Sequence, residues 1–431
     1  MSKKTYSERT LEEKTAQGGR LFAFSFGKSG VVSIEGSIEG GYGRTPNGNG
    51  TIAGLHAAML TEGTKKRTKK QIQLFLDSIG ASVSFSASFD RVEFSARART
   101  EHLAKVLDLI VECLLFPTFP QKELVVIKSQ AEGALAQEAE NTRTQASISF
   151  LQLLFEKKHP NYQRSTIEKK KMLAQITRES LVKFHKETIN GKSLIVAIAG
   201  DVPAEQSLLL AKKYFNKLPN IGLQKLSLPK VEGPTTGGTA IAHVPGKASI
   251  DYFVGLKTGL TKKAADFPAL LLGLRIFGNP SGFTGRLMQI VREKEGLTYG
   301  TGAYLTALTH LADTYIAVWG TFAPQLFAQG RKSIRRELLL ILKNGPTEIE
   351  LKKHKRIFEA SWHVRLSSSS AFANAIHDTI AEGYELTELD DFPEKINKVT
   401  LKEVSAALKK YVNPKKLSEA AAGTVEKNAL R

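Results

Sequence analysis

Hydrophobic and polar positions repeat with two different periods along the chain, and each period predicts one type of secondary structure. Residues 82–88 alternate strictly between polar and apolar side chains, residues 89–91 turn the chain, and residues 92–98 alternate again. A period of two is typical of half-buried β-strands, so this segment predicts a hairpin. Residues 102–115 instead show the spacing of an amphipathic helix, which ends before the prolines at 117 and 120.

The same patterns predict the elements of the rest of the first half. Residues up to about Lys14 are polar, and we expect an extended arm there. Strands are predicted over 31–38 and 194–200, a Gly-rich loop over 40–50, and helices over 68–79, over 122–140 and onwards to residue 185. Residues 218–238 are rich in Pro and Gly and have no apolar period. We therefore expect a linker at 218–238 between an N-terminal half, 1–217, and a C-terminal half, 239–431.

The second half repeats part of the first. Residues 176–202 align without gaps with residues 399–425 at a constant offset of 223, and pairs such as Asn190 and Asn413 are identical. The strand-then-helix order of residues 92–115 also returns, over residues 314–342. An internal duplication into two α+β halves is therefore predicted.

Residues 54–64 predict a short helix, which we expect to stop at Gly63, where a left-handed cap residue costs little. Here the chain resembles the pitrilysin (insulinase-like) family of zinc metallopeptidases. Active members carry His-x-x-Glu-His on this helix, followed by a Gly-Thr like Gly63-Thr64. The two histidines bind zinc, and the glutamate activates the bound water. Aligned back from Gly63-Thr64, the three positions are Gly54, Ala57 and Ala58, which can neither bind a metal nor move a proton.

The resemblance also implies a third zinc ligand, a glutamate on a later helix, and this chain lacks it. The corresponding position falls on Ala134 or Leu135. Glu132 and Glu138 are near in sequence, but a shift of two residues points a helical side chain to the opposite side. His56 is one residue away from every ligand position and is expected to be a helix-face or domain-contact histidine. We therefore predict no metal site in this chain.

A second motif occupies residues 284–300. The pattern predicts an amphipathic helix, a cap at Gly296 and a strand from Leu297, with Arg292 in the last helical turn and Tyr299 at the start of the strand. The reversal at Gly296 can bring the two side chains together. By spacing alone, we would favour an arginine paired to a neighbouring carboxylate and a tyrosine packed at a strand end.

The resemblance reverses that preference. The run from Arg292 to Tyr299 is similar to the family signature Arg-Glu-Lys-x-Gly-Leu-x-Tyr, whose arginine and tyrosine hold the substrate carbonyl and help to stabilise the tetrahedral transition state. The preceding loop, residues 277–283, corresponds to a Gly-rich loop that touches substrate in the processing-peptidase subunit without zinc. It is shorter than that loop and contains a proline.

The resemblance covers almost the whole chain and implies an α+β fold. Two homologous halves, each a mixed or antiparallel sheet covered by helices, would face each other like a clam around a chamber. In two-chain members one chain keeps the zinc motif, while its partner loses it but keeps the arginine and tyrosine. This sequence has the second pattern.

The implied function is a non-catalytic subunit that is inactive alone and binds no cofactor. In a heterodimer it would complete the peptide-cleaving site of a homologous zinc-bearing catalytic subunit. Two alternatives stay open: a structural relative like the respiratory-chain core proteins, and a module that binds peptides or nucleic acid without hydrolysis.

Composition adds limits to this picture. The formal charge is +19, with basic clusters at residues 65–70, 169–171 and 352–356. No nucleic-acid-binding signature accompanies them, so we favour a solvated basic face, or a field that attracts acidic peptides or an acidic partner. Cys113 lies in an apolar run and should be a buried, inert thiol. No apolar run approaches the ~20 residues that span a bilayer. We expect a soluble, cytoplasmic protein without a membrane partner, or a periplasmic one if a signal peptide has been removed.

Overall fold

The computed structural model describes residues 5–45, 50–222, 226, 228, 230–233, 236–279, 282–307, 309–426 and 429–430. The α-helices are α1 (Tyr6–Arg9), α2 (Thr51–Met59), α3 (Lys69–Ser78), α4 (Leu103–Leu115), α5 (Gln121–Glu140), α6 (Thr142–Leu154), α7 (Thr166–Ala174), α8 (Arg178–Thr188), α9 (Ala204–Phe215), α10 (Phe267–Gly278), α11 (Phe327–Asn344), α12 (Glu348–Arg365), α13 (Ser369–Ala381), α14 (Glu388–Lys398) and α15 (Leu401–Tyr411). The strands are β1 (Leu11–Lys14), β2 (Arg20–Ser25), β3 (Val31–Glu39), β4 (Ser82–Ala87), β5 (Arg91–Arg99), β6 (Ile195–Gly200), β7 (Thr239–His243), β8 (Ile250–Lys257), β9 (Gly300–Thr306), β10 (Tyr315–Phe322) and β11 (Ser418–Gly423). Short 3-10 turns occur at Tyr42–Arg44, Thr100–His102, Pro324–Leu326 and Pro414–Lys416, and a π-helical turn at Met288–Lys294. Within the described ranges, no helix is both long enough and apolar enough to cross a bilayer.

The chain divides into two compact units, and each combines segments from both halves of the sequence. The first unit comprises Met1–Glu132, Lys170–Ser227 and Ser361–Phe392, and the second comprises Gly133–Lys169, Leu228–Ala360 and Pro393–Arg431. As a result, α13 belongs to the first unit although it lies late in the sequence, and α6 belongs to the second unit although it lies early.

The first unit is built on a six-stranded sheet of order β1-β2-β6-β3-β5-β4. Only β2 and β6 are parallel; the other neighbours are antiparallel. Every residue of β6 is buried, as expected for a central strand that is covered on both faces. Helix α13 packs on β6 and β3. Its Phe372 and Ile376 join Phe22, Phe24 and Ala197 in one apolar cluster.

The second unit is built on a five-stranded sheet of order β7-β11-β8-β10-β9. Here β7 and β11 are parallel, and the other neighbours are antiparallel. Helix α6 packs on β11, β8 and β7. Its Phe150 and Leu154 share a cluster with Phe253, Tyr315 and Ala420 of the sheet.

The two sheets have the same topology. Strands β2, β6, β3, β5 and β4 correspond in order and direction to β7, β11, β8, β10 and β9. The side chains of Thr177 and Thr400 cap α8 and α15 in the same way. Asn190 and Asn413 each accept a hydrogen bond from the backbone N–H two residues later. The predicted α+β class with two similar halves is confirmed, and the shared offset is what an internal duplication would leave.

The predicted extended arm at the N-terminus is wrong. Residues 6–9 form α1, capped by Thr5, and residues 11–14 form β1, which pairs with β2. The backbone N–H groups of Tyr6 and Ser7 donate to the carboxylate of Asp390, each at 2.9 Å. The segment is therefore ordered by partners that are distant in sequence.

The boundary predicted for the motif helix also differs. Helix α2 ends at Met59 rather than at Gly63. Gly63 does have a positive φ of 147°, but it forms a β-bridge with Thr68 and accepts a hydrogen bond from the backbone of Thr118 at 3.0 Å. These pairings draw the chain out of the helix before the glycine is reached.

Cys113 is a core residue of α4. Its side chain is fully buried, and it packs with Ile72 and Leu109. Burial raises the pKa of the thiol to about 12. The prediction of a buried thiol is confirmed, and at neutral pH the group is the unreactive protonated form.

Candidate functional site

Helix α2 carries the three positions of the degenerate zinc motif. Gly54 is exposed, and a Cβ added there would meet no atom within 4 Å. Ala58, one turn later on the same face, is half-buried, whereas Ala57 is buried at 1% exposure. The face that would present two ligands is open and carries no metal-binding group.

His56 points into the first unit and not along this open face. Its side chain is fully buried, and its Nε2 lies 3.0 Å from Nδ1 of His185. The rings of Phe119 and Phe184 surround it, at 5.8 and 5.1 Å between centroids. His56 is thus a core residue, which corrects the expectation of a helix-face or domain-contact histidine.

The environment keeps this histidine pair uncharged. Burial, together with the neighbouring His185, holds the pKa of His56 well below its ordinary value, and burial lowers the pKa of His185 to about 4. Because the two facing nitrogens share one hydrogen bond, one of them must be unprotonated.

The third ligand position also carries no metal-binding side chain. On α5, Ala134 is exposed and Leu135 is half-buried. Glu132 is exposed, and Glu138 is bound by Lys169 at 2.8 Å. In the part of the chain that the structure describes, no three His, Cys, Asp or Glu side chains are grouped so as to hold a metal ion. A zinc ion therefore does not fit the residues present at these positions.

The second motif brings its two predicted residues together. The guanidinium carbon of Arg292 lies 5.3 Å from the centre of the Tyr299 ring and 4.6 Å from the centre of the Phe283 ring. Tyr299 is 87% exposed and Phe283 is 62% exposed. No carboxylate of the described residues lies within ion-pair distance of Arg292. The alternative of an arginine paired to a carboxylate and a packed tyrosine therefore does not describe this site.

The backbone fixes this arrangement from both sides of Gly296. The π-helical turn, with Glu295 N–H donating to Ile290 at 2.9 Å, carries Arg292. Gly296 has φ +63° and donates to the carbonyl of Arg292 at 3.0 Å, so the predicted cap is present. The Thr298 hydroxyl donates to the carbonyl of residue 321 at 2.5 Å and holds the next segment to the sheet. The strand itself begins at Gly300 and not at Leu297.

Phe283 was not predicted from the sequence. It belongs to the loop 277–283, of which residues 280 and 281 lie outside the described residues. After Phe283, the backbone at Gly285 passes close to the backbone of Asn279. A side chain would not fit there, since a Cβ at Gly285 would lie 2.5 Å from the backbone nitrogen of Asn279. An aromatic residue between two glycines, just before the helix that carries Arg292, was the available signal.

This cluster, Phe283-Arg292-Tyr299, combines three chemical properties on one exposed surface. The guanidinium offers several fixed N–H donors, and the phenol offers one O–H donor. The two rings offer apolar contact and stabilise the cation between them. Such a surface suits a peptide carbonyl or carboxylate with an apolar side chain beside it.

Comparisons with known proteins find two models of one family along the chain. The model of the insulinase family (peptidase family M16) matches residues 38–158, and the model described as peptidase M16 inactive domain matches residues 175–358. Together the two matches cover well over half of the chain.

Curated relatives and solved structures extend the likeness to most of the chain. A "non-peptidase homolog YmxG" of Helicobacter pylori is 22% identical over 362 residues, which are 84% of this chain and 81% of the relative. A probable mitochondrial-processing peptidase subunit beta of Schizosaccharomyces pombe is 22% identical over 382 residues, 85% of this chain and 80% of that one. The crystal structure of a peptidase M16 inactive domain from Pseudomonas fluorescens matches with a TM-score of 0.86 at 24% identity, over 97% of this chain and 98% of that chain. The last likeness concerns the fold.

Proposed function

Since the chain belongs to the peptidase M16 (insulinase) family and lacks the zinc-binding residues of its active members, we propose that it is the non-catalytic subunit of a heterodimeric zinc metallopeptidase. A homologous partner carries the zinc ion and the general base. This chain binds no metal itself and contributes Arg292 and Tyr299 to the partner's site. One observation carries the proposal: Gly54 and Ala58 offer no metal-binding group on their face of α2, while Arg292 is half-buried beside two exposed rings and has no carboxylate of the described residues within ion-pair distance.

The chemistry of the pair fits the attack on a peptide bond. When water adds to the scissile carbonyl, negative charge develops on the carbonyl oxygen. A guanidinium and a phenolic O–H that are already oriented stabilise that charge without reorganising. The rings of Phe283 and Tyr299 restrict the guanidinium, so less freedom is lost when substrate binds. Phe283 adds an apolar contact for a substrate side chain.

A second candidate is peptide binding without hydrolysis. It is favoured by the Helicobacter pylori relative, which is described as a non-peptidase homologue. The cluster would then hold a peptide by the same carbonyl or carboxylate contacts, and no zinc-bearing partner would be needed.

The first test is metal analysis of the purified chain, with cleavage of a quenched fluorescent peptide in the presence and absence of a chelator. We expect no stoichiometric zinc and no chelator-sensitive cleavage. Stoichiometric zinc with chelator-sensitive activity would contradict the proposal, since it would require ligands other than those of the motif.

The second test adds an M16 chain that carries the complete His-x-x-Glu-His motif. The reconstituted pair should cleave peptides, and Arg292→Ala should lower kcat by about 10²–10³-fold, the usual effect of losing one oxyanion donor. Tyr299→Phe should lower kcat as well, while Arg356→Ala, which removes an exposed arginine elsewhere in the second unit, should not. Normal hydrolysis by both site variants would refute the shared site. Peptide binding that depends on Arg292 and needs no partner would favour the second candidate.

A further inference from the structure

In the first unit, helix α9 covers helix α4. The two helices pack against each other, and Leu107 and Val111 of α4 are 0% and 2% exposed. Lys217, just after α9, forms an ion pair with Asp108 of α4 at 3.8 Å. The buried side of α9 is a stripe at helical spacing: Ala204, Ser207, Leu208, Ala211 and Phe215. Helix α4 is therefore a core element because another helix shields it.

Helix α11 holds the equivalent position in the second unit, where it contacts α15. The described residues provide no helix in the place that α9 takes on α4. Like α4, helix α11 follows its strand after a 3-10 turn, with α4 beginning at residue 103 and α11 at residue 327. After β11, the described residues 424–426 and 429–430 form no helix. Leu339 and Leu340 of α11 are consequently 52% and 39% exposed. They lie in a groove of about 520 Å³.

The neighbouring edge of the sheet is uncovered in the same way. In the first unit β1 pairs with the outer edge of β2. The equivalent strand β7 pairs only with β11 among the described residues. Among the described residues of the second unit, neither the helix nor the edge strand has the covering element that its equivalent has in the first unit.

The groove on α11 is strongly basic. Its lining includes five cations and no acid: Arg331, Lys332, Arg335, Arg336 and Lys343. Three carboxylates, Glu295, Glu337 and Glu419, pair with the arginines. For Lys332 and Lys343, the described chain offers no carboxylate within ion-pair distance. Where α4 carries Asp108, the equivalent residue of α11 is Lys332, so the charge is reversed.

We propose that the α11 groove binds an acidic amphipathic helix of a partner protein, in the place that α9 takes in the first unit. The apolar stripe of that helix covers Leu339 and Leu340, and its acidic flanks pair with Lys332 and Lys343. Two adjacent exposed leucines among the cations favour an amphipathic peptide over a nucleic-acid backbone, which offers phosphates but no apolar stripe. The groove does not include Arg292 or Tyr299, so this interaction stands independently of the proposed shared site.

The test uses the full chain and a fluorescent synthetic peptide of about 18 residues, long enough to be helical. The peptide carries apolar residues at the spacing of the buried stripe of α9 and glutamates on both flanks. A matched peptide carries lysines in place of the glutamates. Fluorescence anisotropy should show that the acidic peptide binds and the basic one does not.

Variants of exposed residues assign the binding to the groove. Lys332→Glu with Lys343→Glu should weaken the acidic peptide roughly tenfold or more, since two rim pairs become repulsive. The same variant should gain affinity for the basic peptide. Lys352→Glu with Lys353→Glu, an equal change of charge on α12, should have less than a twofold effect. Leu339→Asp should weaken the acidic peptide without changing the unfolding temperature, because Leu339 is exposed.

Three results would overturn the proposal. The first is equal binding of the acidic peptide to the groove variant and to the α12 control. The second is binding of a short RNA or DNA duplex, lost in the groove variant, when the acidic peptide does not bind. The third is self-association of the chain that Leu339→Asp abolishes, which would assign the groove to a second copy.

Discussion

Substitution of Phe372 on α13 would test whether a helix from the C-terminal half stabilises the sheet of the first unit. The Phe372 ring is fully buried. The centroid of the Phe24 ring on β2 lies 4.3 Å away, and the rings of Tyr6 and Phe26 lie at 5.3 and 5.9 Å. Phe372→Ala removes all three aromatic contacts and leaves a cavity against β2 and β6.

The expected cost is large. A Phe→Ala change in a core costs about 3–5 kcal/mol, and each aromatic pair adds about 0.5–1.5 kcal/mol beyond the buried area. With three rings around Phe372, we expect the upper part of the first range. In a unit of this size each kcal/mol lowers the unfolding temperature by about 2–4 °C, so a loss of about 4–5 kcal/mol should lower the unfolding temperature of the first unit by about 8–20 °C.

Hydrogen exchange followed by mass spectrometry locates the effect. Phe372→Ala should lower protection in β2, β3 and β6 and leave β8, β10 and β11 unchanged. The matched variant is Phe150→Ala on α6, equally buried at 1% exposure, which should do the reverse. Leu209→Ala, at a residue that is 71% exposed in the first unit, should change neither. Loss of protection confined to the second sheet in Phe372→Ala would refute the assignment of α13 to the first unit.

Two further predictions concern the degenerate motif helix. Because the folded state lowers the pKa of His56 and His185, the unfolded chain binds protons more readily, so stability is complete above about pH 6.5 and falls as the pH drops toward 4. The free energy of unfolding, measured with urea at several pH values in this window, should depend less on pH in His185→Gln. The slope should fall by up to about 1.4 kcal/mol per pH unit. Gly54→His with Ala58→His places two imidazoles one turn apart on an open face, and zinc at 100 times its Kd should then stabilise the chain by about 2.7 kcal/mol.

Each of these has a direct control. His363→Gln, at an exposed histidine, should leave the pH dependence of unfolding unchanged. An unaltered slope in His185→Gln would mean that the buried pair does not control acid sensitivity. For zinc, Gly54→His alone should show a much smaller shift of the unfolding temperature. Equal shifts in the single and double variants would mean that the two positions do not share a face.

Local pattern was sufficient for elements whose apolar positions have a clear period. The β4–β5 hairpin, α4 and the strand over 195–200 were all predicted, because alternation and amphipathic spacing are properties of the segment itself. The meeting of Arg292 and Tyr299 was predicted too, since a glycine cap reverses the chain between them. The absence of metal-binding groups at Gly54, Ala57 and Ala58 follows from side-chain chemistry alone.

Where the pattern failed, the deciding contacts come from distant parts of the chain. β1 is an exposed edge strand with no alternation, and only its pairing with β2 makes it a strand. Helix α2 is apolar on most sides, so its pattern does not predict which face is buried. His56 faces inward because its ring packs against the rings of Phe119, Phe184 and His185. Phe283 reaches Arg292 through the path of a loop, and loops have no period to read.

The sequence by itself determined the type and order of most elements, the repeat at an offset of 223 and the missing zinc chemistry. These depend on residue identity and on hydrogen bonds within a few residues. Only the tertiary structure decided which apolar face covers which sheet: α13 covers the first and α6 the second. The hydrophobic effect is non-directional and does not depend on how far apart two segments are in the sequence. The apolar stripe of a helix therefore predicts that this face is buried, but not which element buries it.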